Sequence, residues 1–263
     1  MVDFQCTKSY TVEDLREIIA LLRSDKGCPW DREQTHESIR RNFLEETYEA
    51  CEAIDSGDTD LLREELGDVL TQVIFHARIE EEAGNFNLDD VADVTCKKLI
   101  FRHPHIFGDA PAGNADQVLL AWDELKRREK RHETVTQAMD AVAKSLPGTW
   151  RAEKVQAKAK KVGFDWPDVS GALDKLREET DELQEAIRQK SGIAEEVGDL
   201  LFSVVNLARM LDIDPEEALH NTTNKFIRRF DYLEQRAIEQ GRDLSDMTLD
   251  EMETLYQEGK TRL

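Results

Sequence analysis

The 263-residue chain carries 56 Asp and Glu against 35 Lys and Arg, a net charge of -21, which opposes attraction to nucleic acid or to an anionic membrane surface. No apolar run approaches the ~20 residues of a membrane span, no signal-peptide pattern opens the chain, and Cys6, Cys28, Cys51 and Cys96 form no Cys-x-x-Cys pair. A cytoplasmic protein with reduced thiols is expected, with neither a disulfide framework nor a zinc site.

Gly and Pro are sparse and apolar residues recur at helical spacing almost throughout, so the fold class is expected to be all-α. In chain order, Gly27-Cys28-Pro29-Trp30 leads into a helix bearing Glu45-Glu46-x-x-Glu49, broken at Asp55-Ser56-Gly57-Asp58. The next helix carries Glu65-x-x-Asp68. Asn87-Leu88-Asp89-Asp90 is a helix start, and that helix holds Lys98 and Arg102 before Arg102-His103-Pro104-His105. That segment reads as a proline-ended helix or as a phosphate or partner contact. A charged run, Lys126 to Arg131, is expected to be a solvated helix face, and Ser145-Leu146-Pro147-Gly148 closes a connecting region.

The pattern then returns. Gly163-Phe164-Asp165-Trp166 precedes Glu178-Glu179-x-x-Glu182; a break at Lys190-Ser191-Gly192 leads to Glu196-x-x-Asp199; Asp214-Pro215-Glu216-Glu217 starts a helix carrying Lys225 and Arg229. Lys98-Leu99-x-x-Arg102 matches Lys225-Phe226-x-x-Arg229, and Trp122-x-x-x-Lys126 matches Tyr256-x-x-x-Lys260. The repeat unit is therefore a domain, with expected bounds 1–126 and 151–263 around a charged connecting region at 127–150.

Taken alone, the glutamates of each first acidic helix read equally well as exposed coating, since like charges at i,i+4 on a wet surface cost only about 0.2–0.5 kcal/mol. The following helix argues otherwise. Val197 to Ala208 is apolar on nearly every side, the signature of a buried rod, yet Glu196, Asp199, Ser203 and Asn206 step by three and four along it as a polar spine. Glu179 shares an angular sector with Leu176, Leu183 and Ile187, so packing is expected to turn it inward, with Glu182 one turn on.

Carboxylates about 6 Å apart repel by about 3 kcal/mol per pair at an effective dielectric near 20, so the cluster calls for a cation. All-oxygen ligands suit Mg²⁺, with Mn²⁺ able to substitute, rather than zinc. A di-iron bundle would want Glu-x-x-His on two helices, and only Glu33-x-x-His36 is present, outside the repeated helices. Gly67 and Gly198, directly before Asp68 and Asp199, mark either a close approach of backbone or ligand or tight helix packing. Lys225 and Arg229, four apart, read either as surface ion-pair partners or as groups that neutralise phosphate oxygens, and their recurrence as Lys98 and Arg102 favours the second. Tyr256 and Trp122 read as base-stacking or core aromatics.

At these residues the chain resembles the MazG family of nucleoside triphosphate pyrophosphohydrolases in its two-domain bacterial form, over nearly its whole length. The doubled Glu-Glu-x-x-Glu and Glu-x-x-Asp pattern is the specific part. The resemblance implies tandem all-α domains that dimerise into four-helix-bundle cores, and Mg²⁺-dependent hydrolysis of nucleoside triphosphates to monophosphate and pyrophosphate. It implies metal ligation at Glu179, Glu182, Glu196 and Asp199, with Lys225 and Arg229 on the phosphates. Lys175, Glu178, Asn206 and Tyr256 complete the expected substrate contacts, and Glu178 is the acid least committed to metal.

The copies are not expected to be equivalent. Asn206, at the end of the spine, corresponds to Phe75 in a first-copy spine of Glu65, Asp68, Gln72 and Phe75. The C-terminal copy is expected to carry most turnover, leaving Glu45, Glu46, Glu49, Glu65, Asp68, Lys98, Arg102 and Trp122 as a weaker second site. The competing reading is an acidic helical module that binds nucleotides or a protein partner without hydrolysis, since metal-dependent binding needs the same ligands.

Overall fold

The computed structural model describes Phe4 and residues 6–108 and 134–262, and every regular element among them is helical. Trp122 and the charged run from Lys126 to Arg131 lie outside the described residues. The chain divides into two compact units, residues 1–129 and 130–263.

The first unit contains α1 (Val12–Leu22), α2 (Pro29–Glu33), α3 (His36–Ser56), α4 (Thr59–Ala83), α5 (Leu88–Arg102) and α6 (Pro104–Phe107). Its centre is the α3–α4 hairpin, against which α1 and α5 pack through α4. Local sequence sets the hairpin. Thr35 caps α3, which ends at Gly57 in the left-handed region (φ 69°), and Asp58 caps α4 by accepting from the amides of Asp60 and Leu61. Asn87 and Asp90 form the reciprocal cap that starts α5. The core joins Ile19, Ile39, Ile74 and Phe75; Ile74 alone, at 1 % exposure, contributes about 1.5–3 kcal/mol of burial. Arg102 ends α5 and Pro104 opens α6, as a proline-ended helix requires.

The second unit repeats this plan with α7 (Val135–Asp140), α8 (Gly148–Lys160), α9 (Val169–Gln189), α10 (Ile193–Met210), α11 (Pro215–Glu239), a 3-10 turn (Leu244–Asp246) and α12 (Leu249–Arg262). The α9–α10 hairpin turns through Lys190 (φ 54°) and Gly192 (φ 71°), both left-handed. Asp214 caps α11 by accepting from the amides of Glu216 and Glu217, with Pro215 at the first helical position. A separate core of Leu233, Ala237, Met247 and Leu255 locks α11 to α12.

One expectation is corrected. The Val197–Ala208 stretch of α10 is not buried all round: Val197, Leu201, Phe202 and Val204 are exposed, and Leu201 reaches 60 %. Buried positions on this helix are Ser203 and Val205. The apolar side chains are there, but among the described residues that side of the rod is left exposed.

Candidate metal and phosphate site

Two carboxylate clusters form where each hairpin brings its two acidic motifs together. In the second unit, carboxylate oxygens of Glu179 on α9 and of Glu196 and Asp199 on α10 all lie within 4.8 Å of one another. In the first, Glu46 and Glu49 on α3 meet Glu65 on α4 in the same way. The sets overlap in the repeat but are not identical: Glu182, the counterpart of Glu49, and Asp68, the counterpart of Asp199, lie just outside their own clusters and act on them by repulsion.

Glu179 is turned inward as its helical sector demands, at 5 % exposure. One oxygen accepts from Lys175 at 2.7 Å, while the other, Oε2, is buried with no hydrogen-bond partner. An orphaned carboxylate oxygen in that position is costly unless a cation meets it. The Lys175 ammonium also donates to Glu178 at 2.9 Å, and the two acids hold its proton far more tightly than a free lysine does. The carboxyl of Glu196 is pushed above its ordinary range by burial, then by the negative charges of Glu182, Asp199 and Glu179. Glu46 is raised by burial, then by Asp68 and Glu49, and Glu65 by burial, then by Glu49 and Asp68. Three converging carboxylates, one with an unmet buried oxygen, form a hard-oxygen donor set that fits a Mg²⁺-class ion.

The first cluster lacks an equivalent lysine. Asn42 stands where Lys175 stands, and Glu45 pairs outward with Arg41 at 2.9 Å. The di-iron alternative loses its only histidine, because His36 is bonded to His76 and Glu80 instead, at 2.7 and 2.6 Å.

The polar spine of α10 continues through buried Ser203 to Asn206, whose Oδ1 accepts from Arg209 at 2.7 Å; Arg209 forks onto both oxygens of Asp165, at 2.5 and 3.1 Å. Phe75, at the position of Asn206, is buried in the first core with the Arg23 guanidinium 5.1 Å from its ring centroid. The Asp165–Arg209 pair escaped the sequence reading. Its one signal there was that Arg209 lies three residues after Asn206, one turn further along the same helix.

Gly67 and Gly198 are not explained by tight packing within the chain, since a methyl added at either meets nothing within 4 Å. Lys225 is exposed and Arg229 half-buried on α11, and among the described residues neither forms an ion pair. Tyr256 packs against the α11–α12 core, with its ring 5.6 Å from Phe226 and the Lys260 ammonium 5.6 Å away. Lys98 and Arg102 lie on α5, half-buried. All four cysteines are free, and no helix among the described residues is long and apolar enough to cross a membrane.

Comparison with known proteins places this geometry. The MazG nucleotide pyrophosphohydrolase domain matches residues 34–107 and again 169–233, the segments that hold the two acidic hairpins. The chain is 42% identical over 248 residues to the nucleoside triphosphate pyrophosphohydrolase/pyrophosphatase MazG of Thermotoga maritima, covering 94% of this chain and 95% of that one. It is 40% identical over 254 residues to a nucleoside triphosphate pyrophosphohydrolase of Escherichia coli, covering 95% and 97%. It also matches the protein YabN of Bacillus subtilis at 46% over 248 residues, covering 93% of this chain and 50% of that one. Two domain matches and near-complete coverage at about 40% identity show that the chain belongs to the MazG family of nucleoside triphosphate pyrophosphohydrolases.

Proposed function

We propose that the C-terminal unit carries most of the turnover of this pyrophosphohydrolase, as a Mg²⁺-dependent hydrolysis of nucleoside triphosphates to nucleoside monophosphate and pyrophosphate. The observation that supports it best is that Glu179, which has a buried carboxylate oxygen without a partner, clusters with two further carboxylates. Glu179, Glu196 and Asp199, with Glu182 one turn on, would hold the ion. When bound there, Mg²⁺ supplies Lewis-acid polarisation of the phosphoryl oxygens and neutralises their charge.

The chain's own groups do the rest. Lys225 and Arg229 take phosphate oxygens, Arg229 as a planar fork. Lys175 sits between Glu178 and Glu179, beside the acids that would hold the ion, and from there its ammonium would contribute positive charge toward the phosphates. Glu178 then accepts a proton from the water that attacks the α-phosphorus, while the α–β bridging bond breaks and pyrophosphate leaves. Domains at 1–126 and 151–263, joined through 127–150, fit this reading. So does pairing of each hairpin with that of a second chain into a four-helix bundle.

The first unit reads as a weaker or structural copy. Its Glu45, Glu46, Glu49, Glu65 and Asp68 retain the acids, with Lys98 and Arg102 matching the phosphate-side pair and Trp122 matching the aromatic Tyr256, but Lys175 is replaced by Asn42 and Asn206 by Phe75. Glu179→Gln or Asp199→Asn is expected to lower kcat by about a thousandfold or more, whereas Glu46→Gln or Asp68→Asn leaves most activity. Resolving monophosphate, diphosphate, pyrophosphate and phosphate after incubation with Mg²⁺ and several triphosphates checks this. Diphosphate plus phosphate overturns the bond assignment, absence of any product favours a nucleotide-binding module, and a greater loss at Glu46 reverses the two copies.

A further inference from the structure

The first unit holds a chain of three titratable groups that takes no part in the chemistry proposed above. Glu80 on α4 meets His36 Nε2 at 2.6 Å, and His36 Nδ1 meets His76 Nδ1 at 2.7 Å, with the ring planes 9° apart. Asn85 donates to the other oxygen of Glu80 at 2.6 Å and fixes the carboxylate. His36 is the first residue of α3, so the chain ties the start of that helix to the far half of α4. An ion shared tetrahedrally at about 2.0–2.1 Å from each nitrogen would hold the two about 3.3 Å apart, so the contact is a hydrogen bond between imidazoles.

Its protons can be placed by elimination. Glu80 is held below its ordinary 4.5 by Asn85 and then by His36, so near neutrality it is ionised and can only accept. His36 Nε2 therefore carries a proton, its Nδ1 in the neutral ring is the acceptor, and His76 Nδ1 is the donor. One added proton leaves this bond in place, because one ring then donates from both nitrogens while the other still offers a lone pair. A second added proton removes the last lone pair. Two N–H groups then face each other across a hydrogen-bond distance, and two charged rings lie side by side.

The surroundings do not supply a substitute. Glu37, one residue on in α3, and Glu80 are acids that feel the His36 charge; Glu33 on α2 and Arg40 on α3 are exposed. Arg16 and Arg23 of α1 and Asp89 of α5, from the helices that pack on α4, are engaged in ion pairs, the two arginines with Glu81 and Glu82 of α4 and Asp89 with Arg16. The His76 imidazole is held below its ordinary 6.5 by burial and then by His36, so the second charge enters below that pH. The second unit has no such chain: in the register that matches Glu46 with Glu179 and Phe75 with Asn206, Val169 stands for His36, Leu207 for His76 and Leu211 for Glu80.

We infer that the His36–His76 pair is a pH-sensitive latch confined to the first unit, which holds the start of α3 to α4 with no added proton or with one and releases it when both imidazoles are charged. It stands whichever unit carries the turnover.

Hydrogen exchange of the full chain at pH 7.5 and 5.5, corrected for the intrinsic pH dependence of exchange, tests the latch. Protection of residues 36–44 and 72–83 should fall by about tenfold or more at the lower pH, while that of 169–177 and 203–211 holds. Replacing the pair by the second unit's residues, His36→Val with His76→Leu, should abolish the difference. In the parent, NMR titration of the imidazole carbons, assigned with the two single variants, should show the pair titrating in two separate steps, with protection lost at the lower one. Protection that falls equally in both units, or that does not change in the first, overturns the latch. So does a pH response that survives in the double variant, or a single shared titration step for the two rings.

Discussion

Glu179 and Glu196 illustrate how a carboxylate can be both well placed and unfavourable. Glu179 enters the interior because its sector is shared with Leu176 and Leu183, and once there it finds one lysine and one empty direction. Glu196 faces the same cluster with its carboxyl raised by burial and by Glu182, Asp199 and Glu179. A carboxyl raised in the folded state stabilises the fold only below its unfolded value and loses that contribution as pH rises through the folded value. At pH 7 the ionised cluster therefore opposes folding when no cation is bound. Glu196→Gln is expected to raise the melting temperature of metal-free protein and to shrink the further rise produced by Mg²⁺; thermal shift measurements with and without Mg²⁺ check both. A variant less stable than the parent in the absence of metal would contradict the charge argument. The inward turn of Glu179 is legible in the sequence because it follows from helical phase alone. The pairing of Gln156 with Phe202 is not, because the two are 46 residues apart and no periodicity connects α8 to α10.

The helices were largely readable because their boundaries are local chemistry. Thr35, Asp58, Asn87 and Asp214 cap by their own side chains, and the breaks at Gly57 and Lys190–Gly192 need only left-handed backbone. What joins one helix to the next is less visible. The His36–His76–Glu80 chain is an example: His36 near the start of α3 meets His76 and Glu80 on α4, with the two imidazoles stacked 5.0 Å apart and Phe43 edge-on to His76. Burial, then the neighbouring His36, pushes the His76 imidazole below its ordinary value of 6.5. The unfolded chain then binds the proton first, so stability is present above about 6.5 and is lost as pH falls below that and through the lower folded value. Glu80, held below 4.5 by Asn85 and then His36, adds a separate loss at lower pH. Denaturant midpoints measured from pH 7.5 down to 5.5 should fall for the parent and flatten for His76→Gln; parallel slopes would remove His76 as the cause.

The uncovered side of α10 carries the main discrepancy between sequence and structure, and it bears on assembly. A stripe of Val, Leu and Phe states that a helix wants burial; it does not state which chain provides the cover. Within one chain Val197, Leu201, Phe202 and Val204 stay exposed on α10, as do Leu219, Phe226 and Ile227 on α11. Gly198, beside this surface, has open space where a methyl would go. So much apolar surface is unusual on a monomer, and a two-fold partner would bury the same patch on both copies. Pairing with a second chain then predicts sedimentation at twice 30.2 kDa. Leu201→Asp would place a charge in the middle of that contact and should yield a monomer with most of its helical circular dichroism intact. If the carboxylate hairpin depends on its partner for rigidity, that monomer also loses the bulk of its pyrophosphate release while retaining the intrachain Lys175–Glu179 contact. A parent chain that sediments at 30.2 kDa and remains active would instead mean that the exposed faces are satisfied within one molecule.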